Sequence, residues 1–479
     1  MSKHLVEYLF ESVPKESTRN FLLGNFGELS FSTLKAKISS YSKFFSSEIG
    51  RGKVCLLQAT NGPFFVECYL SIIYSGNIVL PIDSSYREDE ILYIVKKAKP
   101  DLILCETKFR RNYVSTDIKL YDSSSFVNLQ EAVDYKPIYN QIALLLTTTG
   151  STGTPKLVML THDNIIENTN SILSYLNISK SDKMALVLPF SYTFGLSVLH
   201  TFLRCSSQLI ICNDFIFFNK FFKSVNDYKC TYFAGVPSHY KLLLKKSNIR
   251  NENLKTLKNF LQAGGRLDNN SLLDFTELFP HSNFFVMYGQ TEATARISYL
   301  EPKLLKDKLG SIGKPIDGVN MEIIKKDGQT AKTGETGEIV VSGKNVMLGY
   351  FKDPKETALV INKNKLFTGD LAQMDAEGFI FIKGRKKNFI KSGGFRFDKR
   401  EVEKIVLNFP GIIDCRAITI DDSIFGEAIK MLVFMKDKSF SDSEPIINHC
   451  RSKLPSYKVP KVVHFISEED LRHGKIVRV

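Results

Sequence analysis

Between Ala143 and about Gly313 the chain repeats one unit, a short apolar run followed by a segment with helical spacing. The runs include "MALVLPF", "QLIIC", "YFAGVP" and "FFVMYG". Short continuous apolar runs bounded by turn residues read as strands buried on both faces. Their alternation with helices predicts a layered α/β domain with largely parallel strands. The first 140 residues carry the same signal: "KVCLLQAT" and "IVLPID" read as strands, and "REDEILYIVKKAKPDLILC" as a helix followed by a strand. From Gly313 to Lys383 the texture changes to short strands joined by Asp-Gly and Gly-rich turns, which predicts a small antiparallel, barrel-like part. After "GRKK" the pattern resets to a small α+β unit, with helices in "KREVEKIVLNFPGI" and "EPIINHCRSKL" and strands in "DCRAITI" and "KMLVFMK". The expected division is an N-terminal domain over 1–384, a hinge at 385–388 and a mobile C-terminal domain over 389–479.

One loop stands out in the first half. "LTTTGSTGTPKLVMLTH", Leu146–His162, packs glycines and hydroxyls between two buried runs. A tight inter-strand loop dense in N–H groups, with hydroxyls and one lysine, suits oxyanions. It is not a Walker A loop, since Pro155 stands where the second glycine belongs and Leu157 follows Lys156. A metal ligand for a bound nucleotide would have to come from elsewhere in the chain.

Bulk properties exclude several classes. The net charge of +13 is spread along the chain without an arginine-rich tract, so a nucleic-acid partner is not expected, although a basic surface suits polyphosphates. The eight cysteines form no CxxC pair and read as buried free thiols of a reducing compartment. The uncharged stretch Met184–Leu203 contains Pro189 and Gly195, and reads as a strand, a turn and a helix start rather than a membrane span. A cytoplasmic location is expected. GxSxG and HExxH motifs are absent, and His162 and His200, beside apolar runs, read as structural histidines.

Three further clusters carry chemistry. "FFVMYGQTEAT" is a strand followed by Gly289, Gln290, Thr291 and Glu292, at the carboxyl end where α/β folds bind ligands. There Tyr288 offers a flat face for a base, Thr291 a hydroxyl for phosphate, and Glu292 a hard oxygen ligand for Mg²⁺. In "LFTGDLAQMDAEGFIFIKGRKKNFIKSGGFRF", Asp370 could accept hydrogen bonds from two sugar hydroxyls, though taken alone it reads as a turn residue. Lys475, in the terminal "RHGKIVRV", carries no meaning in isolation.

Order and spacing give these clusters their meaning. "TTTGSTGTPK", "AGVP", "QAGGRL", "YGQTEA", "GEIVVSG" with "GYFKDPKET", "FTGDLAQMDAEGFIFIKGR", "IKSGGFRF" and "GKIVR" together resemble the adenylate-forming superfamily. That superfamily includes acyl- and aryl-coenzyme A synthetases, peptide-synthetase adenylation domains and firefly luciferase. The resemblance runs from about Leu5 to the end of the chain. It implies that Thr148, Thr149, Gly150, Ser151, Thr152, Gly153 and Lys156 wrap the β- and γ-phosphates of ATP. Ala263, Gly264 and Tyr288 would line the adenine slot, and Gly289 and Gln290 would also contact the nucleotide. Thr291 would touch the α-phosphate and Glu292 would hold Mg²⁺. Asp370 and Arg385 would grip the ribose, and Lys475 would bridge the carboxylate and the α-phosphate. Lys387 would be the hinge, and Lys391, Ser392, Gly393 and Gly394 the pantetheine channel that replaces Lys475 in a second half-reaction.

The acyl pocket implied by the resemblance lies around Tyr192, Gly235, Val236 and Gly264. Many acyl-CoA synthetases carry a histidine where Tyr192 stands. Amino-acid-activating relatives place an aspartate nearby, and no acidic residue lies between Leu186 and Leu203. A buried ammonium without a partner is costly, so a simple carboxylic acid is the expected substrate. The expected activity is an ATP-dependent, AMP-forming acyl-CoA synthetase using coenzyme A. Loading of a carrier-protein phosphopantetheine is the alternative, and a non-catalytic nucleotide- or nucleic-acid-binding protein is the reading from another class.

Overall fold

The computed structural model describes residues 3–86, 88–127, 135–149, 155–386, 389–392, 395–422, 426–437, 440–467, 470–472 and 475–476. The alternation read from sequence becomes two large mixed sheets. In the first, Asn20–Gly24, Gln208–Ile211, Lys183–Leu186, Tyr232–Gly235, Asn259–Gln262 and Asn283–Tyr288 run parallel in that spatial order. Antiparallel strands close both edges: Gly27–Ser30 on one, Ser298–Leu300 and Lys314–Pro315 on the other. The second sheet sets Ile78–Ile82, Val54–Gln58, Leu102–Cys105 and Leu120–Asp122 parallel beside Ile142–Thr149, which pairs antiparallel with Pro155–Thr161. The central strands are buried throughout, as their unbroken apolar runs require.

Local chemistry sets the helix boundaries. His162–Leu176 begins at Thr161, whose hydroxyl accepts from the Asn164 N–H while the Asn164 side chain accepts from the Thr161 N–H. It ends at Asn177 in the left-handed conformation (φ 49°). The uncharged stretch Met184–Leu203 resolves into the end of a strand, a turn and the helix Thr193–Arg204. Gly195 is obligatory there, because a Cβ would lie 2.1 Å from the Pro189 carbonyl oxygen. Among the described residues, no helix is long and apolar enough to cross a membrane.

The antiparallel part holds Val319–Ile324, Gly337–Gly343, Lys365–Met374, Ile361–Asn362 and Ile380–Arg385. The small C-terminal unit packs the helices Lys399–Leu407 and Glu444–Arg451 on a five-stranded sheet with its own core of Ile390, Val402, Ile429, Met431 and Ile446. It docks on the helix Pro237–Lys246. Lys241 forms an ion pair with Asp414 at 3.3 Å, Lys245 donates to the Ile412 carbonyl at 3.1 Å, and Lys246 lies over the Phe434 ring.

The cysteines are free thiols, all buried except the half-buried Cys205. His162 and His200 are core histidines. His162 accepts from the Leu5 N–H at 2.9 Å, and His200 is 2.9 Å from the Tyr69 hydroxyl. Burial lowers the pKa of His4 from 6.5 to about 4, and of His162 and His200 from 6.5 to about 3. Each is therefore held neutral in the fold, while the unfolded chain takes up a proton below about pH 6.5. Stability present above that pH is lost on acidification, at about 2 kcal/mol per histidine by pH 5. Urea unfolding between pH 7 and pH 5 is expected to show this slope. His200→Gln is expected to show a shallower one whatever its stability at pH 7.

Candidate active site

The strand Asn283–Tyr288 ends at the turn that organises the site. A Cβ on Gly289 would lie 1.8 Å from the Ala295 carbonyl oxygen and 3.1 Å from the Arg296 Cα, so the following segment folds directly back on this glycine. It does so through a short 3₁₀ turn, Thr291–Ala293, and then Thr294 at φ 68°, ψ −66°. The Ala295 N–H donates to the Ala293 carbonyl at 2.8 Å, which makes this a γ-turn of the rare positive-φ kind. A strained threonine persists only where its surroundings over-determine it. Here the Thr294 hydroxyl donates to the Asn345 carbonyl at 2.7 Å, and the Asn345 amide donates to the Arg296 carbonyl at 3.2 Å. The Met347 N–H donates to the Glu292 carbonyl at 2.9 Å and fixes that residue as well.

Facing this turn is the antiparallel sheet. Asp370 is buried; it accepts from the Tyr288 hydroxyl at 2.7 Å and pairs with Arg385, its direct cross-strand neighbour. Burial, reinforced by the Asp370 charge, pushes the Tyr288 hydroxyl pKa well up. Burial works against the Arg385 charge, but Asp370 outweighs it and the guanidinium is held more firmly protonated. Asp370 is thus a fixed carboxylate in the site rather than a turn residue. Lys386 repeats the arrangement one position on, pairing with the buried Glu338 at 2.5 Å.

Lys156 and Glu292 meet through residues that sequence reasoning did not single out. Lys156 is buried, pairs with Glu356, and lies 4.7 Å from the centre of the Tyr350 ring. The Tyr350 hydroxyl donates to Glu292 at 2.9 Å. Among the described residues no lysine or arginine forms an ion pair with Glu292, whose carboxylate accepts from the neutral Tyr350 hydroxyl and feels the Arg385 charge only at longer range. That state suits a hard divalent cation whose other ligands are phosphate oxygens and water. Among the described residues no group of three or more His, Cys, Asp or Glu could bind a metal by itself. The "GYFKDPKET" motif contained both Tyr350 and Glu356, and their spacing was the available signal.

The remaining predicted residues spread around the same face. Thr148 pairs with Lys156 in the register of the strands Ile142–Thr149 and Pro155–Thr161. Ala263 follows Asn259–Gln262 and its N–H reaches the Gly235 carbonyl at 3.4 Å, so the segments "QAGGRL" and "AGVP" touch at their backbones. Gly264 takes φ 81°, and Val236 leads into the helix Pro237–Lys246. Tyr192 contacts Tyr86 and Asp83 through its hydroxyl, and burial followed by the Asp83 charge raises its pKa. Asp83 also accepts from Ser85, and Tyr86 lies 3.1 Å from the Thr147 hydroxyl. The acidic neighbour absent between Leu186 and Leu203 therefore comes from the end of a different parallel strand, Ile78–Ile82, a position the carboxyl-end rule points to. Gly150, Ser151, Thr152, Gly153, Lys387, Gly393 and Gly394 lie outside the described residues, as do the side chains of Thr149, Lys391 and Lys475. The backbone of Lys391 pairs with Arg396, and that of Lys475 with Arg472.

Comparison with known proteins decides the family. The model of the AMP-binding enzyme family matches residues 9–351, and that of the AMP-binding enzyme C-terminal domain matches 401–475. This chain belongs to the AMP-binding enzyme family. It is 28% identical to a long-chain-fatty-acid–CoA ligase of Bacillus subtilis, over 89% of this chain and 85% of that one. It is 32% identical to a ligase of the same name from Haemophilus influenzae, over 70% of this chain and 61% of that one. Among solved structures, o-succinylbenzoate CoA synthetase of Bacillus subtilis with its acyl-adenylate aligns at TM-score 0.84 and 23% identity, over 99% and 96% of the two chains. ATP-bound MatB of Rhodopseudomonas palustris aligns at 0.83 and 23%, over 98% and 96%. The large N-terminal domain and small C-terminal domain are the architecture of these enzymes.

The Asp370 cluster leads to a direct expectation. Asp370→Asn keeps the side-chain volume but removes the charge that holds Arg385 and accepts from Tyr288. Affinity for AMP, measured by calorimetry, is expected to fall about 10- to 100-fold, the range for a lost charge-assisted hydrogen bond.

Proposed function

We propose that this chain is an AMP-forming acyl-CoA ligase. A carboxylate oxygen attacks the α-phosphorus of ATP, the bond to the β-phosphate oxygen breaks, and pyrophosphate leaves. The thiol of coenzyme A then attacks the acyl carbon of the adenylate and releases AMP. The observation that carries this reading is a single turn presenting Tyr288, Thr291 and a Glu292 carboxylate that forms no ion pair among the described residues, opposite the buried Asp370 and its half-exposed partner Arg385. The names of the curated relatives support coenzyme A as the acceptor.

The chemistry asks for such an arrangement. Two anions must approach, and groups preset where charge develops stabilise the transition state more than the ground state. Asp370 accepts from the ribose hydroxyls, with Arg385 fixing its orientation. Tyr288 and the backbone of Ala263–Gly264 hold the base, and Thr291 donates to the α-phosphate. Lys156, beside Thr148, faces the phosphates that leave. Magnesium, held by Glu292, would supply positive charge to the phosphate oxygens. Lys475 reaches the reacting oxygens in the first step, and rotation about Lys387 exchanges it for the Lys391–Gly394 loop, which admits the pantetheine arm. Tyr192, Gly235 and Val236 bound the acyl chain.

ATP–pyrophosphate exchange over a panel of carboxylic acids tests the reaction, and AMP rather than ADP is the expected product. Glu292→Gln is expected to lower exchange about 100-fold or more. Lys475→Ala should nearly abolish adenylate formation yet leave thioester formation from supplied acyl-adenylate largely intact. Equal loss in both steps would refute the two-state assignment.

A further inference from the structure

Arg296 is among the most deeply buried large side chains of the molecule, with 2% of its surface exposed. A guanidinium stays protonated at any physiological pH, so burial cannot neutralise it, and an isolated buried charge is strongly unfavourable. No carboxylate among the described residues pairs with it, and its Nε is buried without a hydrogen-bond partner. Its neighbours are aromatic. The guanidinium carbon lies 4.8 Å from the centre of the Phe194 ring, and the Tyr175 hydroxyl accepts a hydrogen bond that opposes the rise burial imposes on that group. Tyr175 in turn stacks on Tyr299 at 3.9 Å.

Its position gives the charge a meaning. Arg296 follows the strained Thr294 turn, and its Cα packs on Gly289, directly after the proposed adenine-contacting Tyr288. Phe194 lies two residues beyond Tyr192, in the segment proposed to wall the acyl chain. Thr294 and Ala295 line, together with Thr193 and Ser197, a small cavity of about 10 Å³, so the turn and the start of that helix meet around a water-sized space. A cation is therefore fixed beside the acyl wall, its aromatic neighbours providing packing without a counter-charge.

We infer that Arg296 binds a second carboxylate on the substrate, and that the acid activated is a dicarboxylic acid. The inference rests on the ligase reading above and deepens it. One carboxylate reacts at the α-phosphate, while the other satisfies the guanidinium through a charge-assisted pair, with the Tyr175 hydroxyl alongside. A monocarboxylic acid of the same length would place methyl groups against the unpaired charge, and a site built for a polar group rejects an analogue lacking it.

The test is pyrophosphate exchange by the full-length wild-type chain with matched pairs, each a monocarboxylic and a dicarboxylic acid of equal carbon number, straight-chain and aromatic. At least one dicarboxylic acid is expected to exceed its partner about 100-fold in kcat/KM. Arg296→Met should remove that preference through KM and improve the monocarboxylic partner, while Arg296→Lys should retain part of it. Preference for the monocarboxylic acid in every pair would overturn the inference and leave the ligase reading standing. Equal loss for both acids in Arg296→Met, with a lowered melting temperature, would also overturn it by showing a packing role. No exchange with any acid would overturn both readings.

Discussion

Space for a hydrogen atom and nothing larger at Gly289 is the constraint on which the site depends. Because the Ala295 carbonyl and the Arg296 backbone close onto that position, the chain must reverse within six residues of leaving the strand. The reversal forces Thr294 into a left-handed conformation and needs Asn345 and Met347, from a loop some fifty residues later, to hold it. Thr291 and Glu292 sit on the near side of the turn and Arg296 on the far side. One tight reversal therefore fixes the Glu292 carboxylate and the Arg296 guanidinium, the proposed nucleotide-side and acyl-side charges, relative to each other. Preorganisation of this kind is what electrostatic catalysis requires, since groups that must reorient contribute less at the moment of reaction.

The second organising element is a pairing between layers. Tyr288 ends a parallel strand of the nine-stranded sheet, Asp370 and Arg385 belong to adjacent antiparallel strands, and the hydrogen bond between Tyr288 and Asp370 joins the two sheets. Asp370 is shielded while Arg385 keeps half of its side-chain surface in solvent, so the carboxylate is locked and the guanidinium can still adjust to a ligand. Charge is shared out along this edge. The Lys386–Glu338 pair beside it takes up the next lysine, and Lys156 is taken up by Glu356, so among the described residues Glu292 is left out of direct ion pairing and feels the Arg385 charge at longer range.

Much of this was legible in the sequence, for identifiable reasons. The parallel strands announced themselves because burial on both faces leaves no room for polar alternation, and the antiparallel part because its turns need Asp-Gly and glycine. Tyr288, Glu292, Asp370 and Arg385 could be named because motif order ties them to one chemistry, and the structure brings them to one place. Contacts between distant segments were not legible. The Asp83 carboxylate against Tyr192 joins residues more than a hundred positions apart, and Tyr350 bridges Glu292, 58 positions before it, and the far more distant Lys156. Arg296 was passed over because an arginine after "TEATA" reads as a surface residue until its burial and its missing counter-ion are known.

Tyr192 shows why a substituted motif residue need not behave as the residue it replaces. A histidine there could turn freely, since an imidazole makes few obligatory bonds. The tyrosine is tied to Asp83 and Tyr86, and breaking that link would remove one hydrogen-bond donor from a buried carboxylate. Two residues along, Phe194 is covered by Arg296, and one further the backbone of Gly195 lies against Pro189. The turn at the start of the helix Thr193–Arg204 is therefore clamped by an anion on one side, a cation on the other and close backbone contact beneath. If this segment walls the acyl chain as proposed, it selects by shape and charge set before the substrate arrives, so the ordering entropy a gating side chain would lose on binding is already spent in folding. The small C-terminal domain docks instead on Pro237–Lys246, the helix after the opposite wall. That separation would leave the proposed acyl wall undisturbed in the domain rotation proposed above.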